Sequence, residues 1–278
     1  MSHIIKQFRI SWLFMALAAC LTLVSCNKKE EEEIGPDGRF TRDGIIYSLG
    51  DKDEVSVWGV TPSAIKNDVV TIPDYITVPK REGKQPVNSI NGRAFKNGDF
   101  SYVSLPETIF TLYTGAFDQS RLKKIVIPKM VSYMGDVNLL GNKNLKTLIF
   151  KESYPEHFIL HYDWGFDKDT PIKLKVESLD TLYIGRQADI NLEVKDRVRH
   201  IIISEVEQIS GELFSGHPID TVTIKYNPYG MPRIRYRSTL PWEEYYTKHT
   251  LLRIHRRDLP RYKQHEVWGK FQKVEIYE

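Results

Sequence analysis

At 278 residues the chain can hold one large domain or two modest ones, and a 41% hydrophobic content is enough for a sizeable core. The formal net charge of +3 includes Lys6 and Arg9, which lie in a leader expected to be removed, so about +1 remains. That balance argues against a whole-protein role in gripping nucleic acid, whose phosphates demand a basic surface.

The first 26 residues carry a basic start, His3, Lys6 and Arg9, then an apolar run over 12–24, then Ser25-Cys26. This is the layout of a secretory signal, and the run is too short and wrongly flanked for a spanning helix. Leu23-Val24-Ser25-Cys26 resembles the lipobox cut by bacterial lipoprotein signal peptidase. The resemblance implies that residues 1–25 leave and that Cys26 becomes the lipidated first residue. Cys20 then departs with the leader, so the mature chain keeps no thiol for a disulfide or a cysteine metal site. Residues 26–38 follow as a charged tether, with Lys28-Lys29 ahead of Glu30 to Glu33, a run that buries nothing and stays solvated. Lysines followed by glutamates after the cysteine also resemble the surface-export signal of Bacteroidetes lipoproteins. That implies an anchor in the outer membrane with the domain facing the cell exterior, touching the membrane through its lipid alone.

Residues 39–86 read as an N-terminal cap and a first repeat. Ile45, Tyr47 and Leu49 alternate, Gly50-Asp51 offers a turn, and Val55 and Val57 alternate again, which predicts a hairpin covering the first turn of an array. Val70-x-Ile72-Pro73 predicts the first repeat strand, and residues 81–85 a polar loop.

From 87 to 278 the sequence predicts a stacked array. Apolar columns recur at about 22 residues over 87–150: Val87, Ile109 and Val131; Ile90, Leu112 and Met134; Phe95, Phe117 and Leu140. An amide column, Asn97, Gln119 and Asn142, lies between them and the densest part of each unit. That part is Phe100-x-x-Val103-x-Leu105, Leu122-x-x-Ile125-x-Ile127 and Leu145-x-x-Leu148-x-Phe150, with Pro106 and Pro128 ending the first two. One such unit cannot bury its own apolar face. Each large side chain contributes about 1.5–3 kcal/mol when fully buried, so the units offset their ordering entropy only by stacking. The signature recurs at Leu179-x-x-Leu182-x-Ile184, Val198-x-x-Ile201-x-Ile203, Ile219-x-x-Val222-x-Ile224 and Phe271-x-x-Val274-x-Ile276, with a partial copy ending at Leu252-x-Ile254. The long intervals 151–173 and 226–246 read as loops thrown out from the stack, which in repeat proteins often lie on a binding face.

Gly92-Arg93-Ala94-Phe95 and Gly115-Ala116-Phe117, each followed by an amide and a strand ending in Leu-Pro or Ile-Pro, resemble BspA-type (treponemal-type) leucine-rich repeats. The C-terminal residues Leu259, Tyr262, Trp268, Phe271 and Ile276 resemble that family's closing strand, short helix and last strand. The resemblance implies a β-rich leucine-rich-repeat solenoid of short parallel strands, with a hairpin cap at one end and a strand-helix-strand cap at the other. It also implies a surface-exposed bacterial protein for attachment or partner binding.

Catalytic patterns are missing: there is no G-x-S-x-G, no mature cysteine and no Gly-rich phosphate loop. His157 and His161 precede Asp163, Asp167 and Asp169, but Pro155 and Gly165 favour a polar surface loop over a metal site. No cofactor is implied. The stretch 231–263 carries nine Lys or Arg against three acids. Within it Arg233, Arg235, Arg237, Trp242 and Tyr245 are the candidate binding residues, because guanidinium groups pair with anions while rings stack. Trp268 and Phe271 read instead as packing for the end of the stack. The partner expected is an extracellular protein, held by the sheet face and loops, or alternatively a glycan held on Trp and Tyr platforms during polysaccharide capture.

Overall fold

The computed structural model describes residues 34–50, 54–135, 137–139, 141–152, 172–185, 190–214, 216–228, 230–235 and 243–278. Its spine is a ten-stranded sheet that takes one strand from each turn of the chain. The strands run Val69–Thr71, Tyr102–Ser104, Lys124–Ile127, Thr147–Phe150, Leu179–Ile184, Val198–Ile203, Ile219–Ile224, Leu251–His255 and Lys273–Tyr277. Each is parallel to the next, and Ile65–Lys66 closes the N-terminal edge antiparallel to Val69–Thr71.

The L-x-x-L-x-L signature explains the register. Successive side chains of a strand point to opposite faces, and the last two leucine-type positions stack in two buried columns. One runs Ile125, Leu148, Leu182, Ile201, Val222 and Leu252; the other Ile127, Phe150, Ile184, Ile203, Ile224 and Ile254. Pro106 and Pro128 end strand pairing and start the corner, where their carbonyls accept the N–H groups of Ile109 and Val131 at 3.3 Å. The partial copy before Leu252 is a full strand, paired along its length with Ile219–Ile224.

The return path is also stranded. Lys84–Ile90, Thr111–Leu112 and Tyr133–Met134 stack in parallel and bury Val87, Ile90, Ile109 and Leu112 against the first sheet's inner columns. The expected hairpin, Ile45–Leu49 with Val55–Val60, is present, extended by Arg39–Arg42, and it joins this return sheet through Val55–Val60 alongside Lys84–Ile90. The return path continues as Val137–Asn138, Ile172–Val176 and Ile190–Val194, and then as Gln208–Ser210 with Arg233–Arg235.

Three local readings change. Lys84 and Gln85 are not loop: they pair antiparallel with Thr77 and Ile76, so the polar stretch is only the tip of a second hairpin. In the third column Leu139 takes the place of Phe95 and Phe117, and Leu140 lies outside the described residues. Leu139 is buried, and its carbonyl accepts the N–H of Asn142 at 2.9 Å as those of Phe95 and Phe117 accept Gly98 and Ser120. Asn142 therefore aligns with Gly98 and Ser120 rather than with Asn97 and Gln119. The latter two sit at φ 58° and 51°, in the left-handed region that short polar side chains tolerate. Asn142 instead bonds back to the previous turn, donating to Phe117 O at 2.9 Å and accepting from Ser120 Oγ at 2.7 Å. Finally, the intervals read as thrown-out loops are partly regular: residues 172–176 and 233–235 are return strands, and Glu243–His249 is a helix. Residues 153–171 and 236–242 lie outside the described residues, and with them His157, His161 and the three aspartates.

The C-terminal closure is Leu251–His255, the short helix Leu259–Gln264 and Lys273–Tyr277. Trp268 and Phe271 are buried there as packing, stacked with ring centroids 5.7 Å apart.

Candidate binding surfaces

The candidate residues that the structure describes stand on different elements. Arg233 and Arg235 stand in the two-stranded return sheet with Gln208 and Ser210, not in the ten-stranded sheet. The Arg233 side chain is 76% exposed and only loosely paired, 4.0 Å from Glu207. Tyr245 is exposed on the helix Glu243–His249, its ring 5.3 Å from Tyr246 and 4.8 Å from His249. Among the described residues no hydrogen bond, ion pair or ring contact joins Arg233 to Tyr245. Cys26, Arg237 and Trp242 lie outside the described residues, as does the side chain of Arg235.

A different surface emerges from the register. Between the two buried columns of the ten-stranded sheet runs an outward column in which Val126, Ile149, Tyr183 and Ile202 are direct neighbours on four successive strands. All four are half-buried. Beside it runs a polar column, Lys124, Thr147, Thr181, His200 and Thr221. Past Ile202 the apolar column gives way to Thr223, Arg253 and Glu275, where Arg253 holds Glu275 through Nε at 3.0 Å and Nη2 at 2.8 Å. His200 Nε2 meets Thr223 Oγ1 at 2.7 Å. Burial lowers the His200 pKa and the positive charge of Arg253 adds to the effect, both favouring the neutral ring. The signal was in the sequence all along, as the middle x of each L-x-L.

At the strand ends the face turns over a rim. Tyr183 donates its hydroxyl hydrogen to Glu152 and accepts from Lys225 Nζ at 3.4 Å. Burial, and then the bond to Glu152, raise the Tyr183 pKa. Next along the rim, the ring of His255 lies 5.5 Å from that of Tyr226 and 5.6 Å from that of Tyr277. Under this rim Asp258 is only 1% exposed, with Arg261 Nη1 at 3.5 Å. Burial raises its pKa above the ordinary 3.8, more than the nearby Arg261 and His255 lower it.

Asp258 carries a testable sign. Above pH 3.8 the unfolded chain has lost a proton that the folded one keeps, so stability is fully present below that pH and is lost as pH rises through the raised value. The Asp258→Asn variant should therefore melt a few degrees higher than the parent at pH 7. The gap should close in melts run below the ordinary carboxylate pKa; a variant that melts lower at pH 7 would show that the ion pair with Arg261 dominates.

These turns can be compared with known repeats. Residues 74–157 match the BspA type leucine rich repeat region, in six copies. Across that span the turns are BspA-type leucine-rich repeats. The chain is also similar to a solved leucine-rich repeat protein from Bacteroides ovatus ATCC 8483, at 14% identity over 86% of this chain and 76% of that one, with a TM-score of 0.25. A leucine rich cell surface protein from Faecalibacterium prausnitzii A2-165 is similar at 11% identity over 72% of this chain and 95% of that one, with a TM-score of 0.19. No curated protein matches the chain. In the BspA-type turns the Gly-Ala-Phe corner has a direct structural reason. Ala116 and Phe117 are buried, while Gly115 takes φ 76° and its carbonyl accepts the N–H of Arg93 from the turn before at 2.9 Å.

Proposed function

We propose that this BspA-type repeat domain is a non-enzymatic binding module that takes a protein partner on the outer face of its ten-stranded sheet. The observation that carries the reading is the in-register row Val126, Ile149, Tyr183 and Ile202, half exposed and flanked by threonines on one side and by charged residues at its end. A contiguous apolar row with a polar border has the make-up of a protein interface, whose core excludes charge and whose rim carries it. Aliphatic side chains fixed on a rigid sheet lose little entropy on binding. A sugar platform would instead need exposed rings in one row, and Tyr102, Phe110, Tyr113 and Tyr245 are divided among the ten-stranded sheet, the return path and a helix.

The module is placed outside the cell by its leader, on this reading, as an outer-membrane lipoprotein held by lipid on Cys26 and facing outward, with adhesion as its work. Photo-crosslinking tests the face. A benzophenone side chain at position 149 should crosslink a discrete extracellular protein on intact cells, while the same group at position 110, on the return path, should not. Crosslinks from 110 alone would move the binding surface off the sheet.

A further inference from the structure

We propose that the rim formed by Lys225, Tyr226, His255, Arg257 and Tyr277 is a second, separate site that binds an anionic oligosaccharide of the uronate type. Its residues are far apart in sequence and are brought together by the stack. Ile224, Ile254 and Ile276 are in register on three neighbouring strands, the first two buried, so the residues that follow them emerge at one edge of the sheet. Tyr226 is 43% exposed there.

The rings are held in place before any ligand arrives. Tyr277 donates its hydroxyl hydrogen to Ile224 O at 3.0 Å, and His255 Nδ1 accepts the Arg257 N–H at 3.1 Å. In the neutral ring that leaves the proton on Nε2, a donor with no partner among the described residues. The Tyr226 hydroxyl likewise makes no hydrogen bond to a described residue.

The cations divide in a telling way. Arg253 pairs with Glu275, Arg256 pairs with Glu278 and Arg261 approaches Asp258. Arg257 and Lys225 have no carboxylate partner among the described residues. Arg257 lies 5.5 Å from the Tyr226 ring centre, and Lys225 lies 4.9 Å from that of Tyr183. Both are therefore kept beside aromatic surface and left open to an outside anion.

The chemistry that fits is a ligand alternating C–H surface with isolated carboxylates. A sugar face packs on Tyr226, its hydroxyls meet His255 Nε2 and the Tyr226 hydroxyl, and its carboxylate takes the Arg257 fork in a charge-assisted pair. Nucleic acid fits less well, because its closely spaced phosphates call for many cations and the rim offers two without acids. An acidic peptide would supply carboxylates but no face to lie on the exposed ring.

The test uses the whole mature chain and calorimetric titration with an oligogalacturonate, a neutral gluco-oligosaccharide, oligothymidylate and polyglutamate. The expected result is binding of the oligogalacturonate alone, weakening as salt is added, with Tyr226→Ala and Arg257→Ala each losing about tenfold in affinity. Both side chains are exposed, so melting temperatures should hold; Arg257→Gln replaces any alanine variant that melts low. The double variant Ile149→Thr/Ile202→Thr should bind the sugar normally, which separates this site from the protein-binding face. No binding of oligogalacturonate, equal binding of polyglutamate or oligothymidylate, or binding indifferent to Tyr226 and Arg257 would each overturn the proposal.

Discussion

Replacing Trp268 by alanine should cost about 3–5 kcal/mol, as expected for emptying a fully buried aromatic site. Trp268 is 0% exposed, stacks on Phe271 and meets Phe214 edge-on at 5.9 Å. Its Nε1–H donates to Pro232 O at 2.7 Å, which fastens the C-terminal closure to the start of the return strand Arg233–Arg235. The alanine variant opens a cavity and strands that carbonyl as well. Trp268→Phe should recover most of the loss, falling short by roughly 1 kcal/mol for the missing hydrogen bond. Because each turn touches only its neighbours, the damage should stay local. Hydrogen exchange of Trp268→Ala should show early opening of Leu251–His255 and Lys273–Tyr277 while Lys124–Ile127 keeps its protection. Uniform loss of protection along the chain would mean that the stack unfolds as one unit.

Phe117→Ala should cost a similar 3–5 kcal/mol, but with a different signature. Phe117 lies inside the regular array, its ring stacked on Phe95 at 5.7 Å, and Phe95 meets Phe100 edge-on at 6.1 Å. Removing it deprives the turns on both sides, so urea unfolding followed by fluorescence and exchange should find Tyr102–Ser104 and Thr147–Phe150 weakened together. Phe117→Leu is the informative partner, because the next turn already places Leu139, fully buried, at this position. A loss below about 1.5 kcal/mol is expected for that swap. If leucine proved as damaging as alanine, the aromatic stack would be specifying the turn rather than filling it.

The repeat was legible because its inward positions obey one spacing. Ile125, Leu148, Leu182, Ile201 and Val222 could be aligned from the sequence, and they are the buried column of the sheet. The shortest return strands were not legible for a physical reason: Thr111–Leu112 and Tyr133–Met134 are two residues long, too short for any alternation to appear. The placing of Leu139 in the third column has a similar source. Two adjacent leucines satisfy the pattern equally, and only the backbone bond from Asn142 to Leu139 decides between them.

The candidate residues are a different case. Arg233 and Tyr245 drew attention as basic and aromatic neighbours in sequence, yet they belong to different elements without contact. Local composition cannot report which face a residue joins in a stack of turns. The row Val126, Ile149, Tyr183 and Ile202 and the rings of Tyr226, His255 and Tyr277 exist only once the register is known.

The measurement that tests the central claim most directly is the affinity of the crosslinked partner for the parent chain and for Ile149→Asp/Ile202→Asp, with the threonine pair as the folding-safe control. Charges placed at the centre of an apolar interface typically cost at least about 2 kcal/mol each, so the aspartate pair should bind the partner at least roughly several hundredfold more weakly. The threonine pair, which keeps the β-branch suited to a strand, should lose affinity to a lesser degree and melt at the parent's temperature. Unchanged affinity in both pairs, with folding intact, would contradict the assignment of the sheet's outer face as the binding surface.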